Sequence, residues 1–242
     1  MINLKRAWTF ISKDLGKKKD FILYSVLLLI IPVFGVITYT GLSVRLLSNF
    51  IRKKYDLPNP FSSFSENILL GLKVLIAVSI LSLPLMLVLL CIFLMFYGVI
   101  IINNSYIVTI VCAMILMLVF SALSLVYIVF NPGLWCNFAV KKKISAFFDF
   151  KKAYKLFFKN IDSSFKAVAV IYGASFILSI VVSSLSRLIM VPFVLVLLIP
   201  VINIIALVFI VVLDFIISFA LTSVFSLFYC YIMSEWYAEN NK

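Results

Sequence analysis

Five polar residues recur at every fourth position of an otherwise apolar run, and they are the side chains best placed to do chemistry. Asp214 begins the series, which continues through Ser218, Thr222, Ser226 and Cys230. A spacing of four places all five on one face of a helix. Such a face either packs against another helix or forms a polar pathway or binding face. We expect packing, with Asp214 bonded to a neighbour, because a charge at mid-membrane costs about 2.5–3.5 kcal/mol. A third interpretation places Asp214 near a membrane surface.

A second polar stripe and two prolines complete the candidate residues. Ser175, Ser179 and Ser183 repeat at the same spacing and predict a packing stripe that meets the first face. Pro32 and Pro200 interrupt two similar apolar segments and are candidate helix breaks. Proline-interrupted segments in two halves of a chain can indicate a transporter binding site. We favour the simpler interpretation, two kinked helices.

The residue types present argue against an enzyme. The chain has no histidine, which removes the commonest general base and metal ligand. The four cysteines show no paired spacing, so we expect free thiols, no metal site and no cofactor; they are Cys91, Cys112, Cys136 and Cys230. No phosphate-binding loop, zinc-protease motif or nucleophile elbow occurs.

The composition indicates a membrane protein. Of the 242 residues, 65% are hydrophobic and 12% are charged, and the mean hydropathy is +1.22. Soluble domains are about half apolar and a quarter charged. The net charge of +12 comes from basic residues that flank apolar segments, a pattern that suits anionic lipid headgroups and argues against nucleic acid. We expect one membrane domain over residues 21–239.

The fold class predicted is an all-α polytopic membrane protein with about six apolar segments, two of them re-entrant candidates. The segments are 21–44, 74–98, 106–130, 167–186, 188–202 and 203–236. Two basic amphipathic helices are expected at the membrane surface, in 1–20 and within the basic loop 141–166. In the second, the face formed by Lys151, Lys155 and Lys159 is expected to bind anionic headgroups.

The distribution of basic residues favours a re-entrant first segment. If 21–44 crosses the membrane, the six basic residues before it and the five in 45–73 lie on opposite sides. If 21–44 enters and returns at Pro32, both clusters and the loop 141–166 stay in the cytoplasm, as the positive-inside rule requires. A plain six-span protein is the alternative.

Several short motifs resemble a known family. They are Gly41-Leu42-Ser43-Val44-Arg45, Leu57-Pro58, Gly71-Leu72-Lys73, Pro132-Gly133 and Phe148-Asp149-Phe150. Together they are similar to the domain-of-unknown-function family numbered 4013, with Phe61 where that family would have tryptophan. The resemblance covers nearly the whole chain and implies a multi-pass protein of a bacterial or archaeal cell membrane. It implies no catalytic or binding residues.

Two functions are compatible with this pattern. The first is a non-enzymatic scaffold, accessory or protective factor that acts through helix packing, a basic cytoplasmic face and a membrane protein partner. The alternative is a small transporter or channel subunit that uses the polar face around Asp214. The substitution Asp214→Asn distinguishes them, since transport would be abolished in a protein that still folds.

Overall fold

A computed structural model describes residues 4–13, 15–29, 34–59, 61, 63–102, 106–196 and 202–241. Over these ranges the chain forms helices and no strand, which confirms the all-α prediction. The helices are α1 Leu4–Ser12, α2 Leu15–Leu29, α3 Phe34–Ile51, α4 Phe64–Ile102, α5 Tyr106–Lys141, a 3-10 turn Ile144–Phe148, α6 Phe150–Lys159, α7 Ile161–Val196 and α8 Ile202–Asn240. The predicted breaks at Pro32 and Pro200 lie outside the described residues.

Four of these helices are long and apolar enough to cross a membrane. The candidate spans, found among the described residues, are Phe64–Met95, Ile110–Lys141, Ile161–Leu188 and Val211–Asn240. Each has 28 to 32 residues, so at about 1.5 Å per residue it exceeds the ~30 Å thickness of the hydrocarbon core. In the most apolar stretch of each span only 6–11% of the residues are buried. The spans therefore present their side chains outward, as helices in lipid do.

The first predicted surface helix, 1–20, is divided in the structure. Helix α1 ends at Ser12, and α2 begins at Leu15 and carries the rest of the basic segment. The Lys18 ammonium donates to the carbonyl oxygen of Lys13 at 2.6 Å. This bond satisfies a carbonyl oxygen at the end of α1, where no backbone N–H of the helix is available as a donor.

Helix α5 continues beyond the end predicted at residue 130 and reaches Lys141. Pro132 and Gly133, which we expected to stop it, are both buried inside the helix. A Cβ on Gly133 would lie 3.1 Å from the Cβ of Ala153 on α6. The glycine therefore permits the close approach of two helices rather than a turn.

Helix α7 also joins two segments that were predicted to be separate, 167–186 and 188–202. It passes through Arg187 without interruption and ends at Val196. Arginine is a good helix former, and a single charge leaves the backbone hydrogen bonds of a helix intact. The charge at Arg187 therefore does not mark a helix end.

Helix α3 joins two helical pairs. Helix α4 packs against α5, α7 packs against α8, and α3 contacts both α4 and α8. The contact with α4 is made backbone to backbone, because a Cβ on Gly41 would collide with the carbonyl oxygen of Asn67. A Cβ on Gly71 would likewise collide with the carbonyl oxygen of Ile37. Small residues that let helices approach this closely are typical of membrane interfaces.

The buried core lies at one end of the molecule, which we call the packed end. It comprises residues 42–50 of α3, 70–77 of α4, 134–139 of α5 and 227–237 of α8, with the 3-10 turn and α6 packed beside them. Trp236, Phe50, Phe138 and Phe147 are its largest fully buried side chains. The other ends of the long helices are the shafts: 79–95 of α4, 110–126 of α5, 176–188 of α7 and 211–222 of α8. Along the shafts only Ile92 and Ala113 are buried.

Candidate functional site

The carboxylate of Asp214 is bound by a hydroxyl group of the neighbouring helix. Ser186 Oγ on α7 donates to Asp214 Oδ1 at 2.7 Å, and both residues are half-buried. The charged neighbour Arg187 is exposed. A hydrogen bond to a carboxylate is stronger than one between neutral groups. The contact links the two shafts of the α7–α8 pair.

The other end of the predicted polar face contacts α3 and not α7. Ser226 Oγ lies 3.3 Å from Ser43 Oγ, and the Tyr39 hydroxyl donates to the carbonyl oxygen of Thr222 at 3.3 Å. The Cys230 thiol points to the carbonyl oxygen of Ser43 at 3.7 Å. These residues form a polar helix–helix contact at the border of the packed end.

Helical geometry explains why one predicted face makes two contacts. A step of four residues turns a helix by about 40° more than one full turn, so the four steps from Asp214 to Cys230 rotate the face by about 160°. Ser218, between the two contacts, is half-buried, and its carbonyl oxygen accepts from Thr222 Oγ1 at 2.8 Å. The five residues therefore do not line a single surface.

Within the predicted packing stripe on α7, Ser175 is half-buried and the other two residues are exposed. Ser175 donates to the carbonyl oxygen of Ile171 at 2.8 Å within its own helix. Ser179 and Ser183 are exposed. Ser186, three residues beyond Ser183, donates the hydrogen bond to Asp214 on α8. Sequence spacing identified the polar residues of α7 but not which of them faces α8.

Helix α6 has one buried face and one exposed face. Its buried face consists of Ala153, Leu156 and Phe157. The three predicted headgroup-binding residues are all exposed; they are Lys151, Lys155 and Lys159. Three aromatic side chains are also exposed, Phe150, Tyr154 and Phe158, at 42%, 53% and 46%. Exposed aromatic residues beside lysines are the pattern of a helix at a membrane surface.

Asp149 fixes the start of α6. Its carboxylate accepts from the backbone N–H of Lys152 at 3.1 Å and from Lys141 Nζ at 3.3 Å. The backbone hydrogen bond is the main reason that the pKa of this carboxyl lies below its usual value, and Lys141 lowers it further. An aspartate that accepts from a backbone N–H in the first turn is a favourable N-cap.

A charged cluster at the packed end was not among the predicted sites. Glu66 pairs with Lys142 at 3.0 Å and lies 3.9 Å from Arg45. Arg45 Nη1 also donates to Asn67 Oδ1 at 3.1 Å. The cluster joins α3, the start of α4 and the residue after α5.

The short motifs noted in the sequence collect at the packed end and in its contacts. Gly41 and Gly71 form the α3–α4 crossing, and Gly133 forms the approach of α5 to α6. Arg45 joins the charged cluster and Asp149 caps α6. The motifs therefore encode helix packing. Among the described residues no group of three metal-ligating side chains comes together.

Comparison with known proteins identifies one family. A family model described as "Protein of unknown function (DUF4013)" matches residues 24–191, more than half of the chain. The matched region runs from α2 into α7 and includes every motif named above. No curated protein and no solved structure matches the chain.

Proposed function

The chain belongs to this family of unknown function, and we propose that it is a non-enzymatic scaffold, accessory or protective factor of a bacterial or archaeal cell membrane. It acts through contacts between helices and through a basic cytoplasmic face. The observation that carries the proposal is the use of polar residues in the long helices. Ser186 with Asp214 and Ser43 with Ser226 join pairs of helices, so these groups serve assembly.

The basic face of α6 is proposed to bind anionic headgroups. Lys151, Lys155 and Lys159 are exposed beside exposed aromatic side chains, which would hold the helix at headgroup level. Each lysine near an anionic surface contributes about 1 kcal/mol of attraction. The opposite side of α6 is anchored, since Lys152 Nζ donates to the Tyr237 hydroxyl at 3.1 Å.

A re-entrant arrangement of 21–44 is part of the same proposal. Helices α2 and α3 contact each other, and the Phe10 ring on α1 lies 5.4 Å from the Phe50 ring on α3. The segment that precedes α2 and the segment that ends α3 are therefore close in space, as expected if the chain enters the membrane and returns. All basic segments then share the cytoplasmic side.

The lipid composition around the purified chain tests this function. The chain is extracted with its surrounding lipid in polymer-bounded discs, and the ratio of phosphatidylglycerol to neutral lipid is measured. Replacement of Lys151, Lys155 and Lys159 by Gln should lower that ratio several-fold. The matched control replaces three exposed basic residues outside α6: Arg52, Lys53 and Lys54. An equal loss in both variants would contradict a specific role for α6.

The transporter alternative rests on Asp214 as a lone carboxylate in an apolar span. Asp214→Asn keeps an oxygen that can accept from Ser186, whereas Asp214→Ala removes it. If the residue serves packing, Asn should unfold near the wild-type temperature and Ala several degrees lower. Proteoliposomes that show proton or cation flux for the wild type but none for a stable Asp214→Asn would favour transport.

A further inference from the structure

A cleft with a basic rim lies where α1 packs against α8. It has a volume of about 480 Å³, within the range of small-ligand sites. Its lining residues are Lys5, Arg6, Thr9, Phe10, Lys13 and Tyr231. Ala7 and Ile11, on the other side of α1, are buried against the protein and hold the helix in place.

Basic residues predominate around this cleft, and the nearby Glu235 carboxylate accepts from the Tyr55 hydroxyl at 3.5 Å. Lys5, Arg6 and Lys13 are basic, and none of the lining residues is a carboxylate. A fourth cation lies close by, because the Lys18 ammonium is 4.2 Å from the centre of the Phe10 ring. Four positive charges around one small cleft produce a field that favours an anion.

An aromatic wall completes the cleft. The Phe10 and Tyr231 rings are stacked with centroids 5.1 Å apart, and the Phe50 ring meets Phe10 edge-on. This packing fixes the position of α1 relative to α8. The cleft is therefore a built feature of the fold, bounded by basic side chains and rigid aromatic groups.

The position of α1 places the cleft at the membrane surface. Trp8, which lies on the same helix, is 66% exposed. An exposed tryptophan next to basic residues is typical of the headgroup level. A phosphate at that depth can come from a lipid or from the adjacent water.

We propose that this cleft binds a phosphate group, carried by an anionic lipid headgroup or by a small soluble phosphate ester. The exposed ammonium groups of Lys5 and Lys13 can donate to phosphate oxygens, and Arg6 adds positive charge to the rim. The site deepens the proposed basic face but depends on α1 and α8, not on α6. Its failure is therefore separable from failure of the α6 proposal.

Binding is tested with the full chain purified in neutral detergent. Dihexanoyl phosphatidic acid and, separately, inorganic phosphate are titrated while tryptophan fluorescence is followed, and Trp8→Phe identifies the signal of Trp8. Lys5→Gln/Lys13→Gln changes two exposed side chains. It should weaken binding roughly tenfold or more, since each charge-assisted contact contributes strongly. The matched control Lys151→Gln/Lys155→Gln removes the same charge from α6 and should leave the affinity nearly unchanged.

The outcomes separate the sources of the phosphate. Saturable binding of the lipid alone assigns the site to a headgroup, and binding of both probes assigns it to a soluble phosphate ester. Equal losses in the two variants would show unspecific attraction and would overturn the proposal. Absence of saturable binding by either probe to the folded wild type would overturn it as well.

Discussion

The packed end and the shafts are parts of the same helices, but they lie in two different environments. At the packed end Leu134 and Phe138 of α5 are fully buried, whereas Leu118 of the same helix is 71% exposed. Phe176 on α7 is 67% exposed. Large apolar side chains pack against protein at one end and face outward at the other, where lipid removes the penalty of exposure. Hydrophobicity alone therefore does not distinguish a protein core from a lipid-facing surface in this chain.

This contrast also separates the roles of the polar residues. At the packed end Arg45, Glu66 and Lys142 form a partly exposed charged cluster. Along the shafts Asp214 accepts a hydrogen bond from the Ser186 hydroxyl. Specificity of folding is concentrated at the packed end, and the shafts are held by fewer contacts.

We expect the largest loss of stability from a substitution at a point where two helix backbones are in contact at the packed end. Gly41→Ala places a Cβ against the carbonyl oxygen of Asn67, and neither helix backbone can move away without loss of packing. We expect a loss of more than about 3 kcal/mol, or no folded protein. Thermal unfolding in detergent measures it.

Gly173→Ala on α7 is the matched control for that substitution. A Cβ at Gly173 meets nothing within 4 Å, so this change should preserve stability or raise it by up to about 1 kcal/mol through helix propensity. Similar losses for the two glycines would contradict the role assigned to the backbone contact of Gly41.

Two leucines on α5 allow the packed end and the shaft to be compared within one helix. Leu134→Ala leaves a cavity in the packed end and should cost about 2–5 kcal/mol, because the surrounding side chains relax only partly. Leu118→Ala changes a side chain that is 71% exposed and should cost well under 1 kcal/mol in detergent. Unfolding followed by circular dichroism gives both values, and equal costs would show that the shaft is packed as tightly as the core.

A smaller effect is expected at the start of α6. Asp149→Ala removes the N-cap and should cost about 1 kcal/mol at neutral pH. Since the folded-state pKa of Asp149 is lowered, its contribution is complete above the unfolded value near 3.8 and is lost as the pH falls through the lower folded value.

Unfolding temperatures between about pH 7 and pH 3 test this dependence. The difference between wild type and Asp149→Ala should shrink as the pH falls. Asp149→Asn, which can still cap a helix, serves as the control and should lose less stability at neutral pH. A difference that stays constant over the whole range would contradict the role assigned to the carboxylate.

Much of the architecture follows from the sequence, and the exceptions have physical causes. The length of the apolar runs predicted α4, α5 and α8, because membrane thickness sets the length of a span. The end of α5 was missed because Pro132 and Gly133 have the composition of a turn but serve helix packing. We did not predict that α7 continues through Arg187, because the charged residue suggested a boundary between two apolar segments.

The candidate site was predictable only in part. The spacing of four identified Asp214 and Ser226. It could not show that they contact different helices, because the contact partner of each residue depends on where the neighbouring helices lie around α8. Ser186 carried no signal of its own. The charged cluster at Glu66 joins residues far apart in the chain, which local patterns do not reveal.

The central claim is that all basic segments lie at the packed end on one side of the membrane. It is tested most directly by labelling Lys19→Cys and Arg52→Cys, both exposed positions, with a charged impermeant maleimide. Labelling is compared between intact cells and inverted vesicles, with the unmodified chain as background. We expect both cysteines to react with the maleimide only in inverted vesicles. Reaction of either one in intact cells would place a basic cluster outside and contradict the account.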